Sequence, residues 1–282
     1  GDQISIITAY NERDEAFRVV KDISKIKNAH NISYSKFLIL YRTNAQSRVI
    51  EDLLIKNGIL YNIIGGVKFY DRKEVKDILA YMRFIVNPCD TVSFDRIINF
   101  PIRGIGKTTI EKIHGILDSD NVIESLSNLD KTLVGKKQFL ALNSFCKMIK
   151  SYTKRSAKEV PSIIVKDLLT EIKLKEFYKN QNTVESEERW SNIKECISRI
   201  AEYENNNENP TLSGYLEEVS LFTDIDSWNN NDDKITMMTI HSSKGLEFDY
   251  VYIVGLERGL FPIERLFEDE NIEEERRLFY VG

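Results

Sequence analysis

A chain of 282 residues, 42% of them hydrophobic, is long enough for two domains and can bury an ordinary core. Its apolar stretches run only a few residues and GDQISIITAY lacks the basic and hydrophobic regions of a signal peptide, so no membrane partner is expected and the cytoplasm is the expected compartment. The net charge of −5 argues against coating nucleic acid by bulk positive charge, and Cys89, Cys146 and Cys196 stand too far apart for a disulfide framework or a zinc site.

In chain order, Ile4 to Thr8 alternates with β-branched residues and predicts a strand, followed by a helix over 11–26 with apolar residues at 16, 17, 20 and 23. FLILY (37–41) is a continuous apolar run of the kind found in strands buried on both faces. A helix over 45–57 follows, with Gly58 as its C-terminal signal, then a strand over 61–64 ended by Gly65-Gly66. Strands alternating with helices predict an α/β fold with a parallel sheet.

After Gly66 the pattern turns helical. Asp71 with Glu74 reads as a capping box, Val75, Ile78, Leu79, Met82 and Ile85 form one face, and Asn87-Pro88 stops the helix. Further helical patterns cover 93–99, 107–117, 137–150, 159–178, 187–204 and 211–222, and SWNNNDDK (227–234) reads as a linker before β patterning returns at 235–240 and 250–254. The expected architecture is an all-helical domain inserted into a parallel-sheet domain.

Three motifs carry chemistry. The stretch 68–112 holds nine Lys/Arg against six Asp/Glu, a local basic surface, and within it GIGKTT (104–109) resembles the tail of a P-loop. Pro101 stands where the first P-loop glycine belongs and no strand precedes it, so that reading fails. The functional reading is a tight turn in which Gly104 and Gly106 let amides at a helix N-terminus, around Ile105 and Thr108, approach a phosphate flanked by Arg103 and Lys107. A plain turn between helices fits the same pattern.

ILYRTNAQSR (39–48) places Tyr41, Arg42, Thr43 and Asn44 at the carboxyl end of a parallel strand, the edge where open α/β sheets bind ligands. Arg42 suits a phosphate and Tyr41 a base face, although helix capping by Asn44 beside a solvated Arg explains the residues equally well. TIHSSKGLEF (239–248) repeats this topology. Thr239, His241, Ser242, Ser243 and Lys244 crowd one turn with Gly245 relieving its backbone; the hydroxyls suit phosphate oxygens, whereas Glu247 suits a ribose hydroxyl. One turn would then meet two ligands. The acidic run 268–275 reads as a solvated helix face rather than a metal site.

Six blocks, LYRTNAQSR, GGVKFYDRKEVKDILAYMRFIVNP, RGIG, MTIHSSKGLEF, GLERGLFP and EEERRLFYVG, resemble in order the carboxyl half of UvrD/PcrA/Rep-type superfamily 1 DNA helicases. The resemblance implies a second RecA-like domain over 1–65 and 233–282 and an inserted helical domain over 66–232. It implies single-stranded DNA contacts at Arg42, Asn44, Thr239 and His241, beside which Tyr41 and Lys244 are expected to contribute, and duplex contacts at Arg103, Gly104, Ile105 and Gly106, with Lys107 and Thr108 expected beside them. Glu247, with Gly245, would lie on the ATP side. The implied activity is ATP-dependent 3′–5′ translocation and unwinding in DNA repair or replication, with ATP and Mg²⁺ as cofactors.

The P-loop, the DExx-type box and the arginine finger of that family are expected outside these residues, so the chain by itself is expected to be inactive as an ATPase. Rival readings are a non-catalytic module binding DNA and docking RNA polymerase or a repair protein, and the helicase half of a helicase–nuclease.

Overall fold

The computed structural model describes residues 3–117, 122–227, 233–262 and 272–281. The chain divides into two compact units, one of residues 1–69 and 222–282, the other of 70–221. The boundaries fall after Phe69 and inside a helix at 221/222, against the 65/66 and 232/233 expected from sequence.

The first unit opens with a correction. No strand forms over Ile4–Thr8: Ile4 and Ile6 are 93% and 90% exposed. Alternation supplies the side-chain pattern of a strand, but a strand also needs a ladder partner, and none of the described residues provides one. Helix α1 (Glu12–His30) starts where Asn11 accepts the amides of Arg13 and Asp14 at 3.0 and 2.9 Å, carries acids in its first turn, and buries Ala16, Val19, Val20 and Ile23. It ends one turn beyond the apolar pattern, at Asn31 in the left-handed region.

Strand β1 (Phe37–Tyr41) is buried along its whole length, as its unbroken apolar run requires. A 3₁₀ turn (Asn44–Gln46) leads into α2 (Ser47–Lys56), which packs on α1, and Gly58 at φ +66° turns the chain into β2 (Tyr61–Ile64). Buried Glu51 of α2 accepts the Tyr61 hydroxyl and the Phe69 amide, both at 3.0 Å, and the Ser47 hydroxyl. That carboxylate ties the segment after β2 back to α2, which is why residues 66–69 stay with the first unit.

The second unit is helical: α3 (Lys73–Val86), α4 (Thr91–Ile97), α5 (Lys107–His114), α6 (Val122–Ser127), α7 (Lys136–Ser156), α8 (Pro161–Glu171), α9 (Leu174–Lys179), α10 (Val184–Asn206) and α11 (Leu212–Ser227). Helix α3 is its hub, with Phe84 packed against Phe94 and Phe145. The Asp71–Glu74 capping box does not form: Asp71 lies in a 3₁₀ turn paired with Lys76, and Glu74 is buried, accepting the Asn192 amide. The single helix expected over 159–178 is two, broken at Lys173, whose φ of +54° no α-helix accommodates.

The chain returns as β3 (Ile235–Thr239), β4 (Tyr250–Ile253) and α12 (Ile272–Val281). All pairings are parallel in the order β2-β3-β1-β4, and the register sets Tyr41 beside Thr239 and Ile64 beside Met238. The carboxyl ends of β1, β2 and β3 therefore finish level, the geometry that creates a ligand edge. Leu38, Leu40, Met238, Ile240 and Phe261 form a core on one sheet face, against which Leu278 of α12 packs. Among the described residues no helix is long and apolar enough to cross a membrane.

Candidate functional site

The loops at the strands' carboxyl ends meet through small residues. Gln46 organises the first: its Oε1 accepts the amides of Arg42 and Thr43 at 2.9 and 2.8 Å, so one side chain closes the turn after β1. A Cβ on Gly66 would lie 2.8 Å from the Ile63 Cγ2 and 3.2 Å from the Asn44 Oδ1, and one on Gly65 would lie 2.9 Å from the Ser242 Oγ. Gly65 also has φ +70°, so both glycines after β2 are needed for the turn and for the approach of the neighbouring loops. Gly255, after β4, likewise lies against the Gln46 amide.

The turn after β3 is a 3₁₀ segment, Ile240–Ser243. Ile240 is buried as its anchor, the Thr239 and Ser242 hydroxyls sit 3.0 Å apart, and the Ser243 hydroxyl donates to the Ile240 carbonyl at 2.8 Å. Internal bonding of Ser243 removes it from the set of phosphate donors. His241, Lys244 and Glu247 are exposed, and Gly245 at φ +86° has open space where a side chain would be.

Arg42 is largely buried and forms a bidentate pair with Glu275 of α12, Nε to the carboxylate at 3.0 and 3.1 Å and Nη2 to Oε1 at 2.7 Å. Partial burial holds the His241 pKa below the ordinary imidazole value, the Arg42 charge depresses it further, and Glu275 and Glu274 pull it back. His241, Arg42 and the first turn of α12 thus form one electrostatic neighbourhood. Tyr41 does not join it. Its side chain is fully buried as the last residue of β1, so here it presents no exposed ring face on which a base could stack.

In the helical unit, the RGIG turn is shaped from within. Asn99 Oδ1 accepts the amides of Arg103 and Ile105 at 2.8 and 3.1 Å. The Arg103 guanidinium turns inward: Nη1 donates to the carbonyls of Ile97 and Phe100, both at 2.8 Å, and Nη2 to the Tyr81 hydroxyl at 2.5 Å, with Phe145 beneath it. The Arg103 guanidinium and the Ile105 amide, expected at a duplex phosphate, thus already have acceptors within the protein. Gly104 (φ +76°) and Gly106 face open space, Gly106 starts α5 with no side-chain cap, and Lys107 and Thr108 are exposed.

Sequence reasoning passed over three contributors. Gln46 stands three residues after Thr43, a capping-box spacing that was there to be read. Gly65-Gly66 signals a strand end in the sequence, and its role in loop approach depends on contacts the sequence does not display. Glu275 belongs to an acidic run whose pattern is that of a solvated helix face, and residues 268–271 of that run lie outside the described residues.

All 282 residues match the family model described as the UvrD-like helicase C-terminal domain. The chain is 40% identical to the ATP-dependent DNA helicase PcrA of Bacillus subtilis, 41% to that of Staphylococcus epidermidis (strain RP62A) and 39% to that of Staphylococcus aureus (strain Mu50). Each match covers the whole chain and 39% of the relative's length. With a parallel sheet, a helical insertion and the matching blocks in register, this chain belongs to the UvrD-like helicase C-terminal domain family.

Proposed function

We propose that the chain is the DNA-gripping part of an ATP-dependent 3′–5′ DNA helicase working in the cytoplasm on repair or replication substrates. The observation that carries this reading is the carboxyl edge of the sheet, where Arg42, Asn44, Thr239 and His241 converge from two loops. Their chemistry, one fixed cation, an imidazole held below its ordinary pKa, an amide and a hydroxyl pair, suits phosphate and sugar oxygens without selecting a base sequence. Lys244 adds an exposed charge at the same turn.

Glu247 and Gly245 serve the ATP side of that turn. The exposed Glu247 carboxylate is an acceptor for ribose hydroxyls, and the open space at Gly245 lets a nucleotide approach the backbone. Mg²⁺ and the ATP phosphates would be held by the P-loop and DExx-type box expected outside these residues. Bound ATP supplies the phosphoryl-transfer free energy; Glu247 couples its presence to the DNA contacts His241 and Thr239, six and eight positions earlier in the chain.

In the helical unit, Gly104, Gly106, Lys107 and Thr108 form the duplex contact, with Arg103 shaping the loop instead of touching phosphate. Among the described residues nothing lies within 4 Å of a Cβ at Gly106, so their packing does not demand glycine there, while a close external backbone would.

The test uses a full-length protein containing this chain. Glu247→Ala should weaken ATP use while sparing ATP-free binding of single-stranded DNA, and His241→Ala should weaken that binding first. Equal loss of ATP-free DNA affinity in both variants would refute the division of one turn between two ligands. DNA binding with no DNA-stimulated ATP turnover in the unsubstituted protein would favour a docking module.

A further inference from the structure

We infer that Glu275 is a positioning residue for DNA: it holds the Arg42 guanidinium side-on so that its remaining edge faces the phosphate site. The inference rests on Arg42 being a DNA contact, as proposed above. A guanidinium has five N–H donors arranged in a plane. Glu275 takes the Nε and Nη2 side of that plane, at 2.7 to 3.1 Å. Among the described residues Nη1 donates to no protein acceptor, and the end of the fork, Nη1 with the second N–H of Nη2, remains for a phosphate oxygen pair.

Burial gives the pairing its consequence. Both side chains are 14% exposed, and a cation so placed needs a carboxylate to be tolerated and to stay in one rotamer. Held side-on, Arg42 meets DNA already oriented and loses little freedom on binding. Glu275 sits on α12, whose Leu278 is packed against the sheet core, so the carboxylate is itself fixed by the fold. The geometry also separates this role from simple competition. A carboxylate that blocked Arg42 would occupy the end of the fork, whereas this one occupies its side.

The experiment measures fluorescence anisotropy of a labelled oligo(dT) at several salt concentrations, with thermal melts, in a full-length protein. Arg42→Ala, Glu275→Ala, Glu275→Gln and the Arg42→Ala/Glu275→Ala double variant are compared. Arg42→Ala should weaken binding about tenfold, the scale of one charge-assisted contact. Glu275→Ala should weaken it nearly as much, even though removing a negative charge near DNA by itself favours binding. The double variant should be no weaker than Arg42→Ala, and Glu275→Gln, which keeps one acceptor, should fall between wild type and Glu275→Ala. Both alanine variants should shallow the log–log salt slope by about 0.7, the value for one phosphate contact on a single strand.

Tighter binding by Glu275→Ala or Glu275→Gln would mean that the carboxylate competes with DNA and would overturn the inference. So would wild-type affinity in Glu275→Ala, or additive losses in the double variant, the signature of a merely structural role. If Arg42→Ala itself binds as wild type, the reading of Arg42 as a DNA contact fails first and takes the inference with it.

Discussion

Replacing Arg103 by alanine tests how the RGIG turn works. Its guanidinium makes three short hydrogen bonds, to the carbonyls of Ile97 and Phe100 and to the Tyr81 hydroxyl, and lies over the Phe145 ring at 5.3 Å. Each bond from a charged donor contributes about 1.5–3 kcal/mol in isolation, but the three share one side chain and water reaches part of the site, so a net loss of about 3 kcal/mol is expected. For a unit of this size that corresponds to a fall in Tm of about 6–12 °C. Duplex affinity should fall as the turn loses its shape, while the salt slope stays unchanged, because no phosphate contact by Arg103 is lost. Thermal melts followed by circular dichroism, beside duplex anisotropy at several salt concentrations, measure both quantities. An unchanged Tm with a slope shallower by about 0.9 would refute the internal clamp and restore a direct phosphate contact.

Other variants probe the sheet edge. Gly66→Ala places a Cβ against Ile63 and Asn44, so it should displace Asn44 and reduce single-stranded DNA affinity about three- to tenfold; wild-type affinity would show that Asn44 has room to move without loss. Tyr41→Leu should lower Tm because it leaves a void beneath the edge, yet leave the DNA affinity of folded molecules within about twofold; loss of the 1–3 kcal/mol (about) typical of a stacked base would reinstate a stacking role. His241 is held below its ordinary pKa, so a DNA phosphate that favours the imidazolium makes binding take up a proton. Affinity for single-stranded DNA should therefore rise as pH falls through and below the ordinary imidazole value, and His241→Gln should abolish the increment. The sign for folding is opposite: the depressed pKa contributes stability that is present above the unfolded-state value and lost as pH falls through the folded-state value, which melts across pH 5–8 (about) would register.

Local chemistry alone determined much of this protein. FLILY had to be a strand buried on both faces, Asn11 had to begin a helix, and Asn87-Pro88 had to end one, because each depends on neighbours within a few residues. The alternation of strand and helix was enough for a parallel sheet, and such sheets bind ligands at their carboxyl edge, so Arg42, Asn44, Thr239 and His241 could be placed at that edge before any contact was known. What the tertiary structure decided depends on partners distant in the chain. Ile4–Thr8 has the pattern of a strand but no ladder partner among the described residues, and Tyr41 has a stacking ring that the fold buries completely. Arg103 and Arg42 are both cations beside turns. One turns inward onto carbonyls six or fewer residues away, and the other is held by Glu275, 233 residues along the chain. A guanidinium goes where acceptors converge, and only the folded chain determines which carbonyls and carboxylates those are.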